Sequence, residues 1–370
     1  MSLSAIRYGG ILEKMKNVIY ILFVVVTLLS CTDKNKQLNG TWIEKDNFRN
    51  PKTFNFMENS FQVFDGKYLI AEKIFLIKKD TFITGDYNEI NKSRFKLNGN
   101  ILSFINLNND TVISSFERGD FKNPLDYFNY KKGIKICVPK LNSEEIRQTE
   151  KANSIYYDSH GNLYYNGRKT AIKDLASQFR TDGEYEIIYT LIYCDRNVSL
   201  SKLQEIKREL IKSQNYFVTY ITQNNKNQLE GINVRLPHIT ESESILDLIP
   251  ENNYEALICQ ITNDKILLNG KEISSNQLFQ LLKDKISQKK NELNVKVYFD
   301  DKMNYERYVK ELYNIRNAYY SVRREYSKIK FGDSDYELMD DSVSIKIRDL
   351  YPMRFFEINE NDFKRIKYAP

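Results

Sequence analysis

ILLNGKEISSNQLFQLL, residues 266–282, shares its layout with LYYNGRKTAIKDLASQF, residues 163–179: a short apolar run, Asn-Gly, a base, then apolar residues at helical spacing. Asn-Gly behind an apolar run is a turn signal. The spacing that follows places Leu175 and Phe179 on one helix face in the earlier stretch, and Leu278, Leu281, Leu282 and Ile286 in the later one. A layout carried twice predicts a repeated structural unit, and the flanking sequence extends the match in both directions.

Ahead of each Asn-Gly lies a hairpin pattern, SIYYDSHGNLYYNG turning at Asp158 to Gly161 and ICQITNDKILLNG turning at Asn263 and Asp264. Behind each predicted helix comes a buried strand that stops at an acid, IIYTLIYCD at Asp195 and NVKVYFDD at Asp300 and Asp301. A second helix follows, NVSLSKLQEIKREL or KMNYERYVKELYNI, with Ser199 and Asn304 as N-caps. Leu200, Leu203 and Leu210 share one side of the first, and Tyr305, Tyr308, Leu312 and Ile315 one side of the second. The first copy returns through NYFVTYIT, the second through a much-altered counterpart, and they close at INVRLP and YPMRFFEI. The order β-β-α-β-α-β is expected twice, as α+β sandwich domains over 152–240 and 254–358, leaving 359–370 as a tail.

The first third reads differently. From Leu38 to about Phe116 short alternating runs are divided by turn residues, among them GTWIEK, KTFNFM, YLIAEKIFLIKK and SRFKLNGNILSFINL. This pattern predicts a meandering antiparallel barrel or sandwich, assigned to 38–140. The chain is therefore an α+β multidomain protein. LNGTW (38–42) resembles the Gly-x-Trp opening of lipocalin-like domains, in which the tryptophan closes the barrel floor; Gly40 and Trp42 match, and Trp42 is the single tryptophan. The resemblance implies a small barrel, either filled by side chains or holding an apolar ligand at its mouth.

The repeated unit resembles the periplasmic domain of the ExbD/TolR family: early strand, Asn-Gly, apolar helix, strand ending in Asp, amphipathic helix. The second copy is the closer match, through AYYSVRREYSKIKFGDSDYEL (318–338) to IRDLYPMRFFEI (347–358). The resemblance implies modules that pair with one another and touch peptidoglycan or other envelope proteins. Members that work in proton-driven motors carry an Asp in an N-terminal transmembrane helix. Here the only long apolar segment, Val18 to Ser30, has no acid. The motor role is not carried over.

That segment has its own reading. Lys14 and Lys16 precede an apolar run, Val18 to Leu29, which is short for a membrane span and has the layout of a secretory signal; Met15 is an alternative start, and an uncleaved anchor is the competing reading. Leu28-Leu29-Ser30-Cys31 resembles the lipobox of bacterial lipoproteins, which implies cleavage after residue 30, acylation of Cys31, a tether over 31–37 and an outer-membrane protein facing the periplasm. Cys137, Cys194 and Cys259 remain, each in an apolar run, and are read as buried free thiols, with one disulfide among them left open.

Chemistry-bearing constellations are sparse. At 370 residues, 41% hydrophobic and 13% aromatic, the chain fills real cores; its net charge of +6, from 55 bases against 49 acids, is dispersed and argues against nucleic acid. His160 and His238 stand without partners at metal-ligand spacing. Asp195, Asp300 and Asp301 at strand ends are read as turn or cap residues, with general acid or base work as the rival. NVSLSKLQEIKREL also resembles the Asn-x-x-Leu-Ser-x-x-Arg run of OmpA-like peptidoglycan-binding domains at Asn197, Leu200 and Ser201, but Gln204 replaces the arginine. Tyr305, Tyr308, Leu312 and Tyr319 are expected to cover the sheet, whereas Tyr313 and Tyr320 fall on the helix's other side and are interface candidates. No catalytic residue, cofactor or metal is assigned. The expected function is a lipid-anchored, non-catalytic envelope binding or scaffold protein capable of self-association, with a small-molecule carrier as the alternative.

Overall fold

The computed structural model describes residues 35–367, apart from 50, 66–67, 87–88, 120, 122, 145–151, 180–188, 239–243 and 250–253. The leader and Cys31 lie outside the described residues. The chain divides into two compact units between Tyr127 and Phe128.

In the first unit eight strands, β1 (Gly40–Glu44), β2 (Lys52–Phe56), β3 (Ser60–Asp65), β4 (Tyr68–Lys78), β5 (Thr81–Asp86), β6 (Glu89–Asn98), β7 (Ile101–Ile105) and β8 (Val112–Arg118), form a closed barrel in sequence order. Of barrel and sandwich, the first is realised: β8 returns to β1 with Trp42 opposite Arg118 and Glu44 opposite Phe116. Alternation sends one side chain in two inward. The inward set is rich in phenylalanine, and cross-strand pairs such as Phe56 with Phe61 and Phe95 with Phe104 bring the rings together. Centroids lie 4.5 Å apart for Phe54 and Phe116, 5.1 Å for Phe75 and Phe82 and 5.0 Å for Phe82 and Phe104. These rings form one buried apolar cluster with Leu38, Trp42, Val63, Ile77 and Leu102.

The second unit begins within helix α1 (Pro124–Lys132). Residues 128–140, attached to the barrel by sequence, pack here instead: Phe128 stacks on Tyr156 at 3.6 Å, and the Leu141 N–H donates to the Gln223 carbonyl at 3.0 Å. The first module comprises β9 (Asn153–Tyr157), β10 (Leu163–Tyr165), β11 (Arg168–Thr170), α2 (Leu175–Gln178), β12 (Tyr189–Cys194), α3 (Leu200–Lys212), β13 (Phe217–Gln223) and β14 (Leu229–Arg235), in sheet order β11-β10-β9-β12-β13-β14. The second comprises β15 (Glu255–Ile261), β16 (Ile266–Leu268), β17 (Lys271–Ile273), α4 (Ser275–Lys289), β18 (Leu293–Phe299), α5 (Tyr305–Phe331), α6 (Asp341–Leu350), β19 (Phe355–Ile358) and, beyond it, α7 (Glu360–Lys367), in sheet order β17-β16-β15-β18-β19. Both sheets are mixed, with β9, β12 and β13 parallel in one and β15, β18 and β19 parallel in the other.

Several details correct the sequence reading. The first module has two strands more than β-β-α-β-α-β and the second one more: in both, Asn-Gly does not lead out to the helix but turns the chain into a third short strand, β11 or β17, and the first also adds β14. Asn166 and Gly167 have φ of 47° and 81°, Asn269 and Gly270 49° and 82°, the paired left-handed values that this two-residue turn needs. The asparagine does more than turn. Asn166 Oδ1 accepts from the Ser154 N–H at 2.9 Å while its own N–H donates to the Ser154 carbonyl at 2.8 Å; Asn269 clamps Ile258 in the same way, at 2.8 Å and 2.8 Å. The segment FFEI corresponds to β13 and not to INVRLP, since it pairs in parallel with the central strand, and β14 has no counterpart in the second sheet. Leu278, Leu282 and Ile286 are buried as expected, but Leu281 is 40% exposed; at 3.6 residues per turn the four positions span an arc of about 140°, with Leu281 at its edge.

Candidate functional site at the junction of the two modules

The two modules share one apolar core, and they meet where a strand hands over to a helix. Both turns are built alike. Asp195 Oδ1 accepts from the Asn197 N–H at 3.0 Å and Asp300 Oδ1 from the Lys302 N–H at 2.8 Å, while their carbonyls accept from Val198 at 3.0 Å and Met303 at 2.8 Å. Asp195 Oδ2 also accepts from the Cys137 N–H at 2.8 Å, so this buried carboxylate is occupied by backbone. Asp301 is exposed; partial burial and then Asp300 raise its pKa. Asp195 and Asp300 serve the turns.

After each turn the helix cap, Ser199 or Asn304, is itself extended. Asn304 Oδ1 accepts from the Arg307 N–H at 2.8 Å, as an N-cap should; Ser199 makes no cap bond and instead lies 2.8 Å from the Ser201 hydroxyl. The first N–H groups of any helix lack intrahelical partners. Here each module supplies them to the other. Leu200 donates to the Met303 carbonyl at 2.7 Å and Tyr305 to the Val198 carbonyl at 2.8 Å; Ser201 donates to Asp301 at 2.9 Å and Glu306 to Arg196 at 3.1 Å. Ser199 and Asn304 form the bridge at the centre. Residues at the same place in the two modules exchange roles, so the junction is a local two-fold within one chain. Each of the four bonds contributes about 0.5–1.5 kcal/mol.

Below this seam lies a buried polar cluster. Lys207 Nζ, on the core side of α3, donates to Glu357 Oε1 of β19 at 2.6 Å and lies 3.3 Å from the Tyr308 hydroxyl of α5. The Tyr308 hydroxyl donates to Glu357 Oε2 at 3.0 Å, and Gln204 Nε2 to Glu357 Oε1 at 2.8 Å. Tyr220 closes the cluster with its ring edge-on to Tyr308, centroids 5.8 Å apart. Burial pulls the Lys207 ammonium down, but Glu357, Tyr220 and Asp301 together outweigh it and the net direction is up. Burial, then Glu357, pushes the Tyr308 phenol well up, and burial raises Tyr220. A cleft of about 410 Å³ opens beside the first turns of α5, lined in part by Lys140, Asn263, Asn304, Arg307 and Lys310. Arg307 is braced from behind by the buried Glu311 at 3.0 Å, which also accepts from Ser275 at 2.7 Å.

The remaining candidates fall elsewhere. Trp42 is fully buried in the barrel, its indole N–H donating to the Leu38 carbonyl at 2.7 Å and the Arg118 guanidinium 4.5 Å from its ring centroid. Tyr313 and Tyr320 are both half-buried. Tyr313 packs against the shared core, and the Tyr320 hydroxyl accepts from Arg316 at 2.7 Å, with burial raising both phenols. His160 is exposed in its turn, and His238 stacks on Tyr216 at 3.6 Å. Cys137, Cys194 and Cys259 are free thiols. Among the described residues no group of His, Cys, Asp and Glu has the arrangement of a metal site. The sequence reading missed Lys207 and Glu357. The signal was present for the first: in KLQEIKREL, Lys207 shares the Leu203, Ile206 and Leu210 face of the helix. No family model, curated protein or solved structure matches this chain.

Proposed function

We propose that the chain is an exported cell-envelope lipoprotein, anchored through acylated Cys31 at the outer membrane and facing the periplasm, with a non-catalytic binding or scaffold role. In this reading the barrel is lipocalin-like, and the two modules are ExbD/TolR-like domains that contact envelope proteins or peptidoglycan. One observation carries it: the pairing that such modules are implied to make is made here inside one chain, through the four exchanged backbone bonds at residues 196–201 and 301–306. The polar groups brought together there hold the modules to each other. Asp195 is committed to backbone, and Lys207 to Glu357. The phenylalanine-filled barrel gives no support to a carrier role.

The test is crosslinking in intact cells with the full chain as bait, followed by affinity recovery. A recurrent envelope protein or peptidoglycan fragment is expected, and recovery of the bait alone would overturn the scaffold role. Separately, Cys31→Ser should abolish acyl labelling and move the protein out of the membrane fraction. Unchanged labelling and fractionation would overturn the anchor.

A further inference from the structure

The outer wall of the barrel is not uniformly polar. On β4 the outward positions include Ile74, 75% exposed, and Leu76, 55% exposed. The register sets Leu76 opposite Ile83 of β5, and Ile83 opposite Lys92 of β6, so the apolar strip runs across β4 and β5 and ends at a lysine on β6. Lysines border it: Lys78 lies two positions on from Leu76, Lys96 follows Lys92 on the same side of β6, and both are exposed. Glu72, bonded to Gln62, is the acid on the same side of β4.

The chain enters the barrel beside this strip. Asn35 Nδ2 donates to the Glu58 carbonyl at 3.3 Å and lies 3.5 Å from Asn59 Oδ1, at the turn between β2 and β3. The Asn59 carbonyl accepts from the Phe75 N–H at 3.1 Å, and Phe75 stands between Ile74 and Leu76. Cys31 precedes Asn35 by four residues. Four residues span at most about 14 Å at roughly 3.5 Å each. An acyl chain on Cys31 therefore enters the bilayer within a side-chain length or two of Ile74 and Leu76. Apolar side chains flanked by lysines are what an anionic lipid surface accepts at its headgroup boundary.

We infer that the strip of Ile74, Leu76 and Ile83, with Lys78, Lys92 and Lys96 at its border, docks the barrel flat on an anionic bilayer. The anchor and this face act together as a two-point attachment, an inference that rests on the lipoprotein reading. The test uses acylated full-length protein in vesicles of phosphatidylethanolamine and phosphatidylglycerol, some carrying brominated acyl chains. Ile74→Trp places a reporter on the strip, Ile113→Trp places one at an exposed position of β8, four strands away across the barrel, and Trp42 is the internal reference. Emission from Ile74→Trp should shift to the blue and be quenched by brominated lipid, that from Ile113→Trp should not, and adding Leu76→Glu to Ile74→Trp should abolish the quenching. Acyl-labelled, vesicle-bound protein whose Ile74→Trp emission is unquenched would overturn docking and leave the anchor standing. Protein with neither acyl label nor vesicle association would overturn both. A blue shift of Ile74→Trp that grows with protein concentration in detergent alone would give the strip to a second copy, and docking would fall.

Discussion

Removing one partner of the Lys207–Glu357 pair is the most informative perturbation of the junction. The Lys207 side chain is 9% exposed and that of Glu357 21%, and the Nζ to Oε1 distance is 2.6 Å. Stripping one member of a buried pair costs about 3–5 kcal/mol; because Glu357 retains some water, about 2–4 kcal/mol is expected for Glu357→Leu or for Lys207→Met. Replacing both should restore most of the loss, since two apolar groups of similar size leave no buried charge behind. In a unit of this size each kcal/mol moves the midpoint by roughly 2–4 °C, so each single variant should melt about 5–12 °C lower. Calorimetry on the four proteins closes the cycle, and fluorescence of Trp42, which lies in the barrel, identifies the transition that should not move. The folded pKa of Lys207 lies above its ordinary value, so the contribution is fully present below about 10.4, the pKa of the unfolded side chain, and fades as alkaline pH titrates the folded ammonium. Additive single variants, each costing under about 1 kcal/mol, would show that the pair is a solvated surface bridge and refute the reasoning.

Phe75→Ala opens a cavity among rings in the barrel and should cost about 3–5 kcal/mol, moving the Trp42 transition in urea while the second unit's transition stays in place. Asn304→Ala removes an N-cap bond at the centre of the seam and should cost about 0.5–2 kcal/mol, read as faster hydrogen exchange at Arg307. Burial, with Glu311 adding to it, pushes the Cys259 thiol up to about 12, and burial, with Asp195 adding to it, puts Cys194 well above the ordinary value. Thiol reagents at pH 8 should therefore modify Cys137 in the folded protein long before either, as mass spectrometry of timed digests will show.

Much of this architecture is legible in residue pattern because it rests on local rules. Alternation in KTFNFM and SRFKLNGNILSFINL specifies strands whatever they pair with, and closure follows once eight of them share an apolar side. The left-handed Asn-Gly turn is equally local. The third strands are not legible, because RKT is three polar residues and KEI holds a single apolar one, and both gain their strand character only from the hairpin partner. The place of FFEI is not legible either, because the residues between α5 and β19, including α6, displace it in sequence while leaving its place beside β18 unchanged. The junction was invisible for a different reason. Its bonds join backbone groups about a hundred residues apart, and no side-chain pattern records a backbone bond.

A pair of modules on one polypeptide escapes a rule that binds two identical chains. In a homodimer every substitution appears on both sides of the axis, so a charge placed on one side is answered by the same charge on the other. Here the position equivalent to Lys207 is Leu312, and the position equivalent to Glu357 is Tyr220, as the matching registers show. One cation and one anion are thus spent once, each on its own side, where symmetry would have demanded two of each in the same dry space. Fusion lets the halves diverge into complementary surfaces. It makes the exchange of one half for a foreign copy costly, and so ties the identity of each module to its own partner.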